Sequence, residues 1–427
     1  MNQLITLIDK KKISTNAIKV LSRLRDGGFE AYLVGGCIRD LILNRSPKDF
    51  DIATNAHPDE IRDLFRNSRI VGKRFKIVHV RFGPEIVEVT TFRAPHTEKN
   101  DETHSDSGMT LIDNNFGTFT EDVYRRDFTI NAIYYQPDDD EIIDIANGVD
   151  DIQNQAIRTI GDTESRLRED PVRMLRAVRF QAKLHFTPTQ DLTSNIASLG
   201  YLLQDVSPAR LFEEVLKLYM SGHGVRSFEA LVEHGLYSWL FPDSNRSMKS
   251  HLTQDLVRQA LASTDARLAK DKTVTPAFIY AAMFWFPFVE EKKRIQNEEG
   301  LTYLNASNKA ANKILSKQQL FTSIPRRFSG AIRDIWFLQS KLPKRFGDKP
   351  DNLLKHKRFR AAYDFLLIRE AIVEEASQLG EWWTEYQEAS PERRAAMKHF
   401  AGKSRNRGRS RKKYSSNKGN SCQQTNS

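Results

Sequence analysis

Residues 33–51 read LVGGCIRDLILNRSPKDFD, and the rest of the chain is best understood from them. An apolar start predicts a buried strand. The pair Gly35-Gly36 and then Arg39-Asp40 predict a turn opening into a short helix, and Arg45-Ser46-Pro47 predicts a second turn before Asp49-Phe50-Asp51. On an extended segment the two carboxylates face one way and Phe50 the other. Paired carboxylates of this kind can hold two divalent metals close together, as phosphoryl-transfer sites do. Glycines let backbone N–H groups approach an anion with no Cβ in the way. A lone Asp-x-Asp is more often a turn or a solvated strand end, and a lone Gly-Gly says less still. Their order in one stretch carries the argument.

Around this stretch the apolar pattern predicts a helix over residues 1–30, through Leu4, Ile8, Ile13, Ile18, Leu21 and Leu24. Pro58, followed by Asp59 and Glu60, predicts another helix start. Residues 73–91 read as a hairpin turning at Gly83-Pro84, with Glu88 in mid-strand among apolar neighbours. A charge there needs a metal, an arginine or an exposed edge. Residues 95–119 are polar and long for a structureless loop, hence functional or disordered. His96, His104 and Asp106 within them match no standard metal spacing.

Two later stretches bear chemistry. Residues 125–131, RRDFTIN, place two arginines suited to a triphosphate beside Asp127 and Asn131, which can fix a ribose or an arginine. The alternative is a helix cap with a salt-bridged arginine. Residues 169–179, EDPVRMLRAVR, open a helix with Asp170 as N-cap and Pro171 at its first position. Arg173, Arg176, Arg179 and Lys183 share one face, with Val172, Leu175 and Val178 on the other. Asp170 and Arg173 offer an acceptor beside a donor. Adenine and cytosine present the complementary amino group and ring nitrogen, whereas uracil and guanine present the reverse. The pair therefore suits A and C and does not separate them.

The three stretches, in this order, resemble the motifs of the class II nucleotidyltransferases, the family of CCA-adding enzymes and bacterial poly(A) polymerases. The resemblance spans roughly residues 30–370. It implies an α+β fold: a nucleotidyltransferase head with a small mixed β-sheet over 1–150, an all-α neck over 151–245 and body over 246–392, and a disordered basic tail over 393–427. It implies Asp49, Asp51 and Asp127 as catalytic acids, with Mg²⁺ on Asp49 and Asp51 and Glu88 as a further candidate ligand; which of Asp127 and Glu88 is the third acid stays open. Gly35, Gly36, Arg39 and Arg126 would surround the phosphates. Asp170 and Arg173 would act as an amino-acid template for the base, supported by Arg176 and Arg179.

Residues 71–80, VGKRFKIVHV, resemble the stretch that marks the polyadenylating members, although Lys73 and Lys76 stand where arginine is commoner. Lysine keeps the charge and loses the bidentate fork. The activity implied is template-independent addition of AMP from ATP to RNA 3′ ends, with a role in RNA decay. The rival readings are a CCA-adding tRNA nucleotidyltransferase and a non-catalytic RNA-binding protein on the same scaffold; two mutually repelling aspartates argue against the second.

Composition fits a soluble protein of two or three domains: 427 residues, 39% hydrophobic. Two cysteines, Cys37 and Cys422, suit a reducing cytoplasm, and the first dozen residues lack an apolar core of signal-peptide length. The apolar run over 277–289 contains Pro287 and predicts a buried helix, not a membrane span. Net charge is +10, of which +8 comes from residues 401–427, where Arg405, Arg407, Arg409, Arg411, Lys412 and Lys413 cluster with no acid among them. Such a segment cannot bury a core; it either solubilises the chain or binds a polyanion, and RNA suits the rest. Residues 357–365 interleave aromatics with Arg and Lys, for base stacking or for a core with a basic rim. No His-Asp dipeptide and no internal repeat occurs. A monomer is expected, with RNA 3′ ends and the RNA-decay machinery as partners.

Overall fold

The computed structural model describes residues 8–72, 76–94, 115–373 and 378–398. Several expectations lie outside them: Leu4, Lys73, His96, His104, Asp106 and the basic residues Arg405, Arg407, Arg409, Arg411, Lys412 and Lys413.

The helix expected over residues 1–30 is shorter. Ser14 accepts hydrogen bonds from the Asn16 and Ala17 amides and caps a new start, so α1 runs Thr15–Asp26. It buries Ala17, Val20, Leu21 and Leu24 against a seven-stranded sheet. In chain order the head comprises β1 (Ala31–Val34), α2 (Gly36–Ile42), β2 (Phe50–Thr54), α3 (Pro58–Leu64), β3 (Ser68–Val71), β4 (Ile77–Phe82), β5 (Glu85–Thr91), α4 (Phe119–Arg125), β6 (Tyr134–Gln136) and β7 (Glu141–Ile143). The expected hairpin is β4–β5, turning at Gly83 with φ +60°. The expected helix after His57 is α3, with Pro58 in its first turn.

Strand order is β3-β4-β5-β2-β1-β6-β7. Only β2 and β5 run parallel among these pairs, so the sheet is mixed. Period-two burial explains its two faces. Val78, Val80, Val87 and Val89 are buried, while His79 and Glu88 alternate with them on the other side. Each buried valine contributes about 2 kcal/mol. That is enough to set the register, because a one-residue slip would carry the valines out together and the charges in.

Beyond the sheet follow α5 (Gly148–Gln153), α6 (Thr163–Glu169), α7 (Val172–Leu184), α8 (Gln190–Leu199), α9 (Pro208–Tyr219), α10 (Gly224–Glu233) and α11 (Tyr237–Leu240). Sheet and most of these helices form one compact unit, up to Leu218 plus Arg226–Leu240. The expected head and neck thus fall largely in a single unit.

The second unit comprises Tyr219–Val225 and the described residues from Phe241 on. It is helical: α12 (Pro242–Ser247), α13 (His251–Leu268), α14 (Pro276–Met283), α15 (Trp285–Glu299), α16 (Tyr303–Gln318), α17 (Arg326–Gln339), α18 (Lys349–Leu354), α19 (Phe359–Val373) and α20 (Leu379–Glu388). The apolar run over 277–289 divides between α14 and α15, and among the described residues no helix is long and apolar enough to cross a membrane. Phe359, Tyr363 and Phe365 are buried, as is Trp383, whose indole N–H donates to the Leu342 carbonyl at 3.1 Å. Core packing therefore accounts for the aromatics of residues 357–365.

Candidate active site

At the end of β1 the chain turns through Gly35, whose φ of +82° is left-handed and favours glycine. A Cβ there would sit 3.6 Å from Nη1 of Arg126 and 3.7 Å from Oδ2 of Asp51, so the first glycine marks the point where cation, carboxylate and backbone converge. Gly36 opens α2 and faces the Arg39 guanidinium, 3.5 Å from where its Cβ would be. Arg39 is buried. Its Nη1 donates to Asn131 Oδ1 at 2.7 Å, and its Nε and Nη2 donate to Asp40 Oδ1 at 2.9 and 2.7 Å. It packs 5.2 Å from the Phe180 ring, so it is a fixed part of the site's wall. Cys37 beside it is buried, which pushes its thiol up to about 12, with the Asp51 charge adding to the effect. A thiol so rarely ionised is inert.

Asp49 is exposed and Asp51 half-buried. In the sheet Asp51 pairs with Val34 on one side and with Glu88 on the other, and Glu88 pairs in turn with His79. The His79 ring nitrogen Nε2 lies 3.5 Å from Glu88 Oε1. Burial first, and then the Glu88 charge, push the Asp51 carboxyl up to about 6; Asp49 adds to this, and Arg126 and Arg39 pull it back. At this carboxyl, burial and the Glu88 and Asp49 charges together outweigh the two arginines. The mid-strand Glu88 is 41% exposed and is met by a carboxylate and a histidine, not by an arginine.

Among the described residues no group of three or more His, Cys, Asp or Glu side chains forms a closed cage for a metal. Mg²⁺ does not need one. It is usually held by one or two carboxylates, with water and substrate phosphates completing the shell. Two aspartates at an open strand end, with Glu88 opposite the inner one, fit that ion.

The second motif caps α4. Arg126 Nε donates to the Tyr134 hydroxyl at 2.7 Å and Nη2 to Asp122 Oδ2 at 3.0 Å, while Tyr134 donates to the same oxygen at 2.6 Å. This triangle aims Arg126 Nη1 at Gly35. Asp127 has its own set of partners. Its Oδ1 accepts from the Phe128 amide at 2.9 Å and Asn131 Nδ2 at 3.2 Å; its Oδ2 accepts from Arg176 Nε at 2.6 Å. Burial pushes this carboxyl up, yet Arg176 and Asn131 together hold it down at about 2. Both oxygens are engaged, whereas Glu88 stands opposite Asp51 in the β2–β5 pair.

The third motif differs from expectation by one position. Asp170 ends α6, Pro171 caps α7, and the helix begins at Val172, whose amide donates to Asp170 Oδ1 at 3.3 Å. The cations of its basic face are paired. Arg173 is buried, with Nη1 donating to the Arg166 carbonyl at 2.5 Å and to Glu169 Oε2 at 2.7 Å. Asp170 Oδ2 accepts from Arg210 Nη2 at 2.7 Å. Arg176 and Arg179 flank the Phe180 ring at 5.7 and 5.5 Å, Arg179 approaches Glu214 at 3.8 Å, and Lys183 approaches Asp40 at 3.6 Å. Sequence reading missed Arg166, Arg210, Asp122, Tyr134 and Phe180 as supports. Only Asp122, four positions before Arg126 on α4, left a readable signal.

A glycine turn feeding a short helix, with Asp49 just before the next strand and Asp51 within it, is the arrangement expected of a class II nucleotidyltransferase, and likeness to known proteins places the chain there. A solved tRNA-processing enzyme with CTP, 20% identical, has the same fold, with a TM-score of 0.59 over 87% of this chain and 92% of its own. The family model of the poly A polymerase head domain matches residues 31–158. That of the "Probable RNA and SrmB- binding site of polymerase A" matches residues 185–248, and that of the polymerase A arginine-rich C-terminus matches residues 299–418. Poly(A) polymerase I of Salmonella typhimurium is 45% identical over 91% of this chain and 86% of its own. The CCA-adding enzyme of Lactobacillus helveticus is 40% identical, but over 51% of this chain and 53% of its own. Within the class, the chain belongs to the bacterial poly(A) polymerase family.

Proposed function

We propose that the chain adds AMP from ATP to RNA 3′ ends without a template, releasing pyrophosphate. The observation that carries this reading is the likeness to a poly(A) polymerase across nine-tenths of the chain, where the likeness to a CCA-adding enzyme stops at half. Asp49 and Asp51 would hold two Mg²⁺ ions, with Glu88 supporting. Bound Mg²⁺ supplies a lowered pKa for the RNA 3′-hydroxyl and charge stabilisation for the departing pyrophosphate.

The chain's own residues do the rest. Arg126, aimed by Asp122 and Tyr134, and the Gly35 turn receive the phosphates. Arg39 and Arg176 are tied through Asn131 and Asp127, so Asp127 acts by positioning the arginines. Asp170 would accept the adenine amino group while Arg173, whose Nε and Nη2 make no hydrogen bond among the described residues, donates to the ring nitrogen. Glu169 and Arg210 hold the pair in place. The basic residues of the tail would retain the RNA. A monomer in the cytoplasm, marking RNA for decay, completes the reading.

The test offers the purified chain, with Mg²⁺ and a generic single-stranded RNA, each nucleoside triphosphate singly. A long ladder with ATP alone is expected. No extension of that RNA, together with addition of C, C and A to a truncated tRNA, would make it a CCA-adding enzyme.

A further inference from the structure

In the second unit, the end of α13, the segment leading into α14 and the start of α19 enclose a cavity of about 180 Å³. Arg267, Lys357, Arg358 and Arg360 line it, against the single carboxylate of Asp364. Asp364 is spent mainly on Arg360, at 3.1 and 2.9 Å, and meets Arg267 only at 4.0 Å. Lys357 makes no ion pair among the described residues. Arg358 is the telling member: its Nε is buried with no hydrogen-bond partner among the described residues. A buried, unmatched donor carries a desolvation penalty, and a larger one on a charged group. An oxygen entering the cavity would relieve that cost. The positive end of the fifteen-residue α19 lies at the same wall. Phe278, half-buried and edge-on to Phe365 with ring centres 6.2 Å apart, adds an apolar surface.

Surplus positive charge, an unmatched guanidinium donor and one ring suit a phosphate joined to a sugar. The volume is below the ~300–1,000 Å³ of a pocket that engulfs a whole ligand, which disfavours a free triphosphate. We propose that this pocket is a backbone subsite for single-stranded RNA, seating one phosphate among Arg358, Lys357, Arg360 and Arg267 with its ribose against Phe278. The proposal rests on the RNA-extending function above and adds a site to it.

The test compares the full chain with Arg358→Gln and Lys357→Gln; the second change is at an exposed side chain and spares the fold. Binding of a single-stranded oligoadenylate is measured against salt, and AMP transfer against RNA concentration. Each variant is expected to bind roughly threefold to tenfold more weakly at low salt, with the log–log salt slope reduced by about 0.7 for one lost phosphate contact. KM for RNA should rise in step, with kcat unchanged. If both variants bind RNA with the affinity and slope of the unaltered chain, the subsite is overturned while the function stands. If they lose affinity for ATP alone and not for RNA, the pocket serves the free nucleotide and the proposal is equally overturned. If the unaltered chain binds no RNA, the function and the subsite fall together.

Discussion

Asp127 and Arg176 stand 49 positions apart in the chain, and Arg176 Nε donates to Asp127 Oδ2 at 2.6 Å. Asn131 extends the link, donating to Asp127 and accepting from Arg39. One hydrogen-bonded chain, Arg39–Asn131–Asp127–Arg176, thereby joins the helix after the glycine turn to α7. It sets the place of the arginines before any substrate arrives.

Breaking this link should cost stability. Asp127→Asn is expected to lose roughly 2 kcal/mol, less than the ~3–5 kcal/mol of a fully buried pair, because the Arg176 side chain is 33% exposed. Arg176→Gln should cost about the same, and the double variant about 1–2 kcal/mol less than the two singles together. Urea denaturation of the three variants reads this directly; additive losses would mean the two residues are not coupled. Since the folded-state Asp127 carboxyl lies near 2, its stabilisation is complete above the ordinary carboxylate range and fades as pH falls from about 4 towards 2.

Asp51 has the opposite sign. Its carboxyl is raised to about 6 in the folded metal-free chain. The folded state therefore holds this proton more tightly than the unfolded one, and the penalty grows from pH ~4 until it is complete above ~6, at most about 3 kcal/mol. Without Mg²⁺, Asp51→Asn should melt higher than the unaltered chain at pH 7.5, with the gap closing by about pH 3.5. A gap independent of pH would contradict the raised value.

Glu88 and Asp127 can be told apart by their response to metal. Glu88→Gln should raise the Mg²⁺ concentration needed for half-maximal AMP transfer about tenfold, as loss of a supporting carboxylate does. Asp127→Asn should leave that concentration unchanged and raise KM for ATP instead. The reverse pattern, read from initial rates across a Mg²⁺ series, would make Asp127 and not Glu88 the third acid.

Removing residues 401–427 takes away eight cations. If all eight meet phosphates, the salt slope of RNA binding should flatten by as much as ~5.6, at ~0.7 per phosphate on a single strand. An unchanged slope would assign the tail another task.

What was legible in the sequence was local. The glycine pair, Asp49-Phe50-Asp51 and the β4–β5 hairpin could be read because period and turn chemistry act over a few residues. The single-step shift at Pro171 and the cap at Ser14 are also local, but there a stronger signal lay next to the one read. The partners of the site residues were not legible. Asp170 meets Arg210 forty residues on, and Arg126 is aimed by Tyr134 across the sheet edge. Nothing in spacing encodes either contact, because tertiary packing brings them together. The same packing buries Arg173 and ties Arg176 to Asp127, which helical periodicity alone does not specify.

The most direct test of the account is single-turnover AMP transfer from ATP to an RNA 3′ end by Asp49→Ala and Asp51→Ala, with RNA binding measured on the same preparations. Both variants should lose transfer by three orders of magnitude or more, roughly 4 kcal/mol of barrier, while binding RNA as the unaltered chain does. Near-normal transfer by either would contradict the assignment of the paired aspartates as the centre of the chemistry.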